Sequence, residues 1–333
     1  MAAVCLLAGA CAKNQASTTG QTAQEYLKLW MDKFHPGIPA GEDGLYILEE
    51  TPGTGVEWTS EAPYIRVHST IRTLDGTISS TTDETLSKQL GTYVKGNYYG
   101  PKYQVLGPGY SYAGVDALVK GMRQGGSRKA VIPSWMLTTS RFDTQKEYID
   151  ACTSSTHLIY EITLAGFTTD PEQAEKNELD SYVHSTFGNV SSASYITDQD
   201  PDGTFWFISD VSGFKEEDAL KPGTSVQINY TGHLLDGTVF DTSVEKTAKD
   251  AGIYSSSRTY ETQKVTLAES YSDITMGDSS SLINGFKGGL SLMHWKGQKA
   301  IVLFTSKHGY SSSGSGSTIP GYAPIWFELE IVE

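Results

Sequence analysis

The sequence is short of the groups that most reactive sites need. Its three cysteines, Cys5, Cys11 and Cys152, include no C-x-x-C pair, so no zinc knuckle or dithiol redox site can be assembled from them. None of the seven histidines (His35, His68, His157, His184, His233, His294, His308) pairs at metal-ligand spacing. There is no H-E-x-x-H, no G-x-S-x-G and no glycine loop ending in G-K-[ST]. Metalloenzyme, serine-hydrolase and P-loop readings therefore fall, and no cofactor is implied. Positive charge is also scarce: 25 Lys and Arg stand against 39 Asp and Glu, a net charge of −14. A chain without basic clusters is a poor partner for phosphate backbones, and its dispersed charges read as a solubilising surface.

What is present points to strands and turns. Apolar residues make up 38% of the chain, with 34 glycines and 19 tyrosines, and 333 residues suit about two domains. The opening Met1–Ala10, MAAVCLLAGA, is too short to span a bilayer but fits the apolar region of a secretory signal. Ala8, Gly9 and Ala10 directly before Cys11 resemble a bacterial lipobox, which implies lipidation of Cys11. The expectation is an exported protein of the bacterial cell envelope, held to a membrane by a lipid at Cys11, on the periplasmic or outer-surface side. The polar stretch after Cys11 suits a tether, and Cys152 has no partner within the mature chain except Cys11.

The chain repeats itself. Glu25–Trp30 (EYLKLW) matches Glu178–Val183 (ELDSYV), Gly44–Leu48 matches Gly203–Ile208, and Leu74–Gly76 (LDG) recurs as Leu235–Gly237. Met122–Ala130 (MRQGGSRKA) recurs as Met293–Ala300 (MHWKGQKA), and Tyr160–Leu164 matches Phe327–Ile331. Five blocks in one order, at offsets between 153 and 171 residues, make a tandem repeat. Each unit opens with an amphipathic helix. In the first, Ala23, Tyr26, Leu27, Trp30, Met31 and Phe34 form one stripe that ends before Pro36. In the second, Asp170 caps, Pro171 starts the helix, Gln173 completes a capping box, and Gly188 stops it, with a stripe of Ala174, Leu179, Tyr182 and Val183. Packing struts, spacers or a dimerisation surface are all open for these helices.

The rest of each unit is strand-like. In the second, Ser225–Tyr230 alternates, Leu235–Gly237 is a hairpin turn, and Lys299–Phe304 and Ile325–Ile331 are further strands. A short amphipathic helix falls within Leu282–Met293. The fold class is α+β: two units, each a curved antiparallel sheet wrapped on a short helix and preceded by an amphipathic one. The expected divisions are a signal at 1–11, a tether and helix at 12–40, a first domain at 41–168, a linker helix at 169–200 and a second domain at 201–333.

Three segments of the second unit carry a family resemblance. Asn229–Ser243 (NYTGHLLDGTVFDTS) resembles the opening signature of FKBP-type peptidyl-prolyl isomerases, Y-T-G-x-L-x-D-G-x-x-F-D-S-S. Leu282–Leu290 (LINGFKGGL) is similar to the family's V-I-x-G-W-x-x-G-V helix. Gly309 and Tyr310, then Thr318–Pro320 and Pro324–Phe327, match its last loop and strand. The resemblance covers about residues 201–333 and implies that Tyr230, Phe240, Asp241, Ile283, Phe286, Tyr310, Ile319 and Phe327 form a prolyl pocket. It further implies that the Ile283 N–H and the Tyr310 hydroxyl bond ligand carbonyls, with Asp241 near the rotating carbonyl. Phe286 stands where the family usually has tryptophan, and Val244–Gln263 is longer than usual, without the family's aromatic wall.

The first unit retains scaffold residues, among them Leu74–Gly76, Tyr103–Gly107, Gly114, Met122, Ile132, Pro133 and Tyr160, but not the pocket. Ser69, Ser79 and Ser80 stand for Tyr230, Phe240 and Asp241, Val115 replaces Phe286, and Leu137 falls near the place of Tyr310. A serine-lined hollow cannot desolvate a prolyl amide, so this unit is expected to be silent. Its tyrosines at 98, 99, 103, 110 and 112 are available for packing or for holding peptide. The resemblance thus implies an isomerase acting on unfolded or proline-containing clients of the envelope. A non-catalytic chaperone, or a structural surface lipoprotein on the same scaffold, are the alternatives.

Overall fold

The computed structural model describes residues 19–151, 155–192, 203–277, 279 and 281–332. The apolar opening, Cys11 and Cys152 lie outside them. The first repeat consists of α1 (Thr19–Phe34), β1 (Tyr46–Thr51), β2 (Tyr64–Thr73), β3 (Ile78–Thr81), α2 (Glu84–Gln89), β4 (Lys102–Val105), α3 (Ala113–Val119), β5 (Ser127–Ile132), α4 (Gln145–Ala151) and β6 (Leu158–Thr168). The second follows with α5 (Pro171–Phe187), β7 (Phe205–Ile208), β8 (Ser225–Leu234), β9 (Val239–Thr242) and α6 (Glu245–Ala251). It closes with β10 (Gln263–Thr266), β11 (Thr275–Met276), α7 (Asn284–Ser291), β12 (Lys299–Phe304) and β13 (Ile325–Ile331).

The two antiparallel sheets share one topology. The first runs β1-β5-β6-β2-β3 with β4 also on β2; the second runs β7-β12-β13-β8-β10-β11 with β9 also on β8. The hairpins β2–β3 and β8–β9 turn at the two Asp-Gly pairs and slip register at the same place, Ile71/Arg72 and Gly232/His233. From β2 through β4 every partner in the first sheet has its counterpart 161 residues on: Tyr64 pairs Val105 as Ser225 pairs Thr266. Between those strands both repeats carry the same device. Tyr93 stacks on Tyr99 at 5.3 Å, as Tyr254 does on Tyr260 at 5.4 Å. Lys88 and Lys249 lie over the leading rings at 4.7 and 4.9 Å, and Tyr99 and Tyr260 accept the N–H of Val94 and Ser255.

Each sheet has a core on both faces. On one face α7 closes a cluster containing Phe205, Ile228, Val265, Phe286, Val302 and Phe327, and α3 closes the equivalent cluster around Leu45, Ile65, Val115, Ile132 and Tyr160. On the other, Leu27 and Met31 of α1 pack on Val131 and Ile159, and Leu179 and Val183 of α5 pack on Trp206 and Leu303. The two opening helices are therefore an outer layer of their own sheets. This corrects the sequence alignment by one residue: Leu27 and Met31, not Tyr26 and Trp30, correspond to Leu179 and Val183. Tyr26 and Phe34 are over half exposed because the buried row advances in fours, Ala23-Leu27-Met31. A slip of two residues also corrects β12, since Ala130 faces Tyr160 while Val302 faces Phe327.

Capping of α5 follows the sequence in part. Asp170 accepts the Gln173 N–H at 3.0 Å and Gly188 ends the helix at φ 77°. The Gln173 side chain turns instead to Asn177, because Thr168 already accepts the Asp170 N–H.

Candidate active site

The inward residues of β8, β9 and β13 and the start of α7 converge on one aromatic cluster. Phe327, buried at the middle of β13, is its hub. Its ring meets Phe286 at 5.1 Å and 76°, Phe240 at 5.5 Å and 90°, and Tyr230 at 6.3 Å. Tyr230 meets Phe286 edge-on at 5.6 Å. Such edge-to-face contacts set positive ring edges against negative faces, which fixes the rings as well as burying them. Buried Ile319 and half-buried Ile283 and Tyr310 complete the wall. Ile283 is the N-cap of α7, with extended backbone (φ −64°, ψ 146°). All the apolar residues expected from the sequence are thus in one cluster.

Asp241 forms the polar rim. Its Oδ2 accepts the Tyr230 hydroxyl at 2.9 Å and its Oδ1 accepts the Thr242 N–H at 2.9 Å. Burial, then the Asp241 charge, holds the Tyr230 phenol well above its usual range, and the same two causes raise Tyr310. Both phenols stay protonated donors.

Two site residues escape sequence reasoning. Arg258, from the long segment between α6 and β10, donates to Asp241 Oδ1 and to the Tyr230 hydroxyl at 3.0 Å. It ties that segment to the rim, and nothing in its own sequence surroundings marks it. The second is Gly232, which lies in the Y-T-G signature but is given no role by it. A Cβ there would lie 2.6 Å from the Phe240 ring and 2.7 Å from Phe327, so these rings meet only over a glycine. The first repeat has Ile71 in this place, opposite Tyr160 and Ser80 as Gly232 is opposite Phe327 and Asp241. Ile71 packs against the first core, so this place has a branched side chain instead of a glycine beneath aromatic rings.

The loop carrying Tyr310 is anchored from behind. Glu175 of α5, only 2% exposed, accepts both the N–H and the hydroxyl of Ser306, the latter at 2.7 Å. Burial, with the neighbouring Glu172 and Glu178 charges, pushes its carboxyl up to about 7 against the pull of the Ser306 bonds. In the first repeat the equivalent Ser134 N–H donates at 3.0 Å to Nδ1 of buried His157, whose Nε2–H therefore donates to the Ala23 carbonyl at 2.9 Å. Burial lowers the His157 pKa.

Comparison with known proteins falls on the same stretch. Residues 216–332 match a family described as FKBP-type peptidyl-prolyl cis-trans isomerase. The chain is 30% identical to FK506-binding protein 1A of Aspergillus fumigatus over 115 residues, which are 34% of this chain and 81% of that protein. It is 29% identical to an FK506-binding protein of Neisseria meningitidis serogroup C over 126 residues, 38% of this chain and 93% of that one. Among solved structures, the three FKBP domains of wheat FKBP73 align over 88% of this chain and 95% of theirs, with 15% identity and a TM-score of 0.30. FkpA from Escherichia coli aligns over 49% and 59%, with 19% identity and a TM-score of 0.31.

Proposed function

The chain belongs to the FKBP-type peptidyl-prolyl cis-trans isomerase family, and from that premise we propose that its second repeat isomerises X–Pro bonds in exported polypeptides. The observation that carries this reading is the convergence of Tyr230, Phe240, Phe286 and Phe327 in one aromatic cluster, whose Phe240 and Phe327 rings meet over Gly232. No nucleophile is needed. Rotation about an amide faces a barrier of about 18–20 kcal/mol because twisting breaks resonance, and X–Pro bonds exchange only over tens to hundreds of seconds unaided. A prolyl ring held on Phe240, Phe286 and Phe327 leaves water behind. The twisted amide has lost most of its charge separation, so a dry site favours it over the planar ground state. Tyr310, kept protonated by burial beside Asp241, would donate to a client carbonyl, and Arg258 would hold Asp241 and the Tyr230 hydroxyl in place.

The first repeat supplies no second site in this reading, since Ser69, Ser79, Ser80 and Ile71 replace the pocket. Export and lipidation of Cys11 rest on the apolar opening alone; Cys11→Ser should move the protein from membrane to soluble fractions.

A protease-coupled assay of the full chain on Ala-X-Pro-Phe peptides tests the catalytic reading. Tyr310→Phe should lower kcat/KM roughly tenfold, the worth of one ordinary hydrogen bond. Phe240→Ala, which removes about 2 kcal/mol of apolar contact with the prolyl ring, should lower it roughly thirtyfold. A folded wild-type chain without turnover for any X would overturn the proposal.

A further inference from the structure

We infer that the first repeat, which has lost its own pocket, positions the pocket loop of the second by gripping Tyr322 between Tyr64 and Tyr103. The inference rests on the prolyl pocket proposed above. Residues 305–324 join β12 to β13 and contribute Tyr310 and Ile319 to that pocket. Their regular structure is limited to single-turn helices at Ser306–His308 and Ser311–Ser313 and one bridge between Ser315 and Ile319, so contacts from outside add to what fixes them.

Tyr322 has φ +56°, a left-handed conformation that crowds the Cβ of any L-residue and favours glycine. A tyrosine persists there only where its surroundings over-determine it. Its N–H donates to the Ser311 carbonyl within the loop at 3.0 Å, and its ring is held by the first repeat. The Tyr322 ring stands edge-on to Tyr64 of β2 at 6.0 Å and 85°, and to Tyr103 of β4 at 5.5 Å and 74°. The Arg66 guanidinium lies 5.9 Å from the centre of the Tyr103 ring and pairs with Glu178 of α5 at 3.1 Å, so the clamp is closed from the second repeat's side too.

A second grip lies at the other end of the same segment. The Tyr98 N–H donates to the Ser317 carbonyl at 2.9 Å, and the Tyr98 side chain packs against the second repeat's aromatic cluster. Gly96, at φ +93°, brings this turn of the first repeat so close to the second that a Cβ would lie 2.7 Å from Ile253. Ile319 therefore sits between two points, Ser317 and Tyr322, that the first repeat holds. Neither Tyr64 nor Tyr103 is part of the pocket. They are positioning residues: a loop fixed before the client arrives gives up less freedom on binding.

The test uses the full chain with Tyr64→Ala/Tyr103→Ala together, Tyr103→Phe, and Tyr322→Gly. The alanine pair should raise KM for a short prolyl peptide about tenfold with kcat little changed. It should also speed hydrogen exchange across residues 310–324, while β8 and β13 stay protected. Tyr103→Phe keeps the ring edge and should behave as wild type. Tyr322→Gly relieves the backbone but removes the ring, so it should reproduce the alanine pair; wild-type protection in that variant would overturn the clamp. So would an alanine pair whose loop loosens without any change in KM. A wild-type chain that turns over no peptide would sink the isomerase reading instead, and exchange at 310–324 would still decide whether the first repeat holds the loop.

Discussion

Ser134 and Ser306 occupy the same turn of the two repeats, yet the groups that pin them titrate in opposite senses. The folded-state pKa of Glu175, about 7, lies above the ordinary 4.5, so folding favours its protonated form. That contribution, roughly 3 kcal/mol, is complete below about pH 4.5 and is lost as pH rises through 7. Glu175→Gln keeps the size and a hydrogen-bonding amide, so it should raise the melting temperature at pH 8 and leave it unchanged near pH 4. His157 is the reverse case. Its pKa is lowered by burial, so its contribution is complete above the ordinary 6.5 and is lost as pH falls below that value. The Ser134 amide should therefore lose exchange protection on acidification while the Ser306 amide keeps it. At Gly232, alanine would drive a methyl into Phe240 and Phe327; overpacking of this kind costs about 1–3 kcal/mol, and activity should fall further than stability.

At the scale of elements, strands were legible where alternation was strict, as in β8 and β13, and α5 was legible because Asp170, Pro171 and Gly188 mark its ends chemically. The pocket residues were legible because three short motifs carry all eight of them. What was not legible came from packing between distant segments. Arg258 reaches Asp241, 17 positions earlier, from within the long segment, and no local pattern announces that return. The α1 register slipped because Tyr26, Trp30 and Phe34 are as apolar as the residues that are buried, and only the sheet beneath decides which row faces it. Leu27 and Leu179 are the matching buried residues of α1 and α5. Replacement of either by alanine should cost about 2–5 kcal/mol, read in denaturant unfolding. An outcome near zero for Leu179 would mean that α5 is a spacer rather than a layer of the second repeat.

For the whole molecule, the buried members of each core cluster come from a single repeat, and the seam between repeats is built from tyrosines, a salt bridge and a few backbone contacts. Two cores joined by a modest interface are expected to unfold in two overlapping calorimetric transitions. The Tyr64→Ala/Tyr103→Ala chain should pull them apart, since the seam is what couples them. A single transition unaffected by that pair would show a coupling that the seam contacts do not account for.

The paired tyrosine stacks also separate what the halves share from what distinguishes them. Lys88, Tyr93 and Tyr99 recur as Lys249, Tyr254 and Tyr260 at one spacing, with the same ring geometry and the same backbone N–H bonded to the second phenol. A segment so alike in both halves belongs to the scaffold they share. Asn97 stands where the later half has Arg258, and Ile71 where it has Gly232, so the halves differ in what the segment meets rather than in the segment itself. The stacked tyrosines therefore act as common framework, and the single arginine is what turns that framework toward the aromatic cluster in the second half alone.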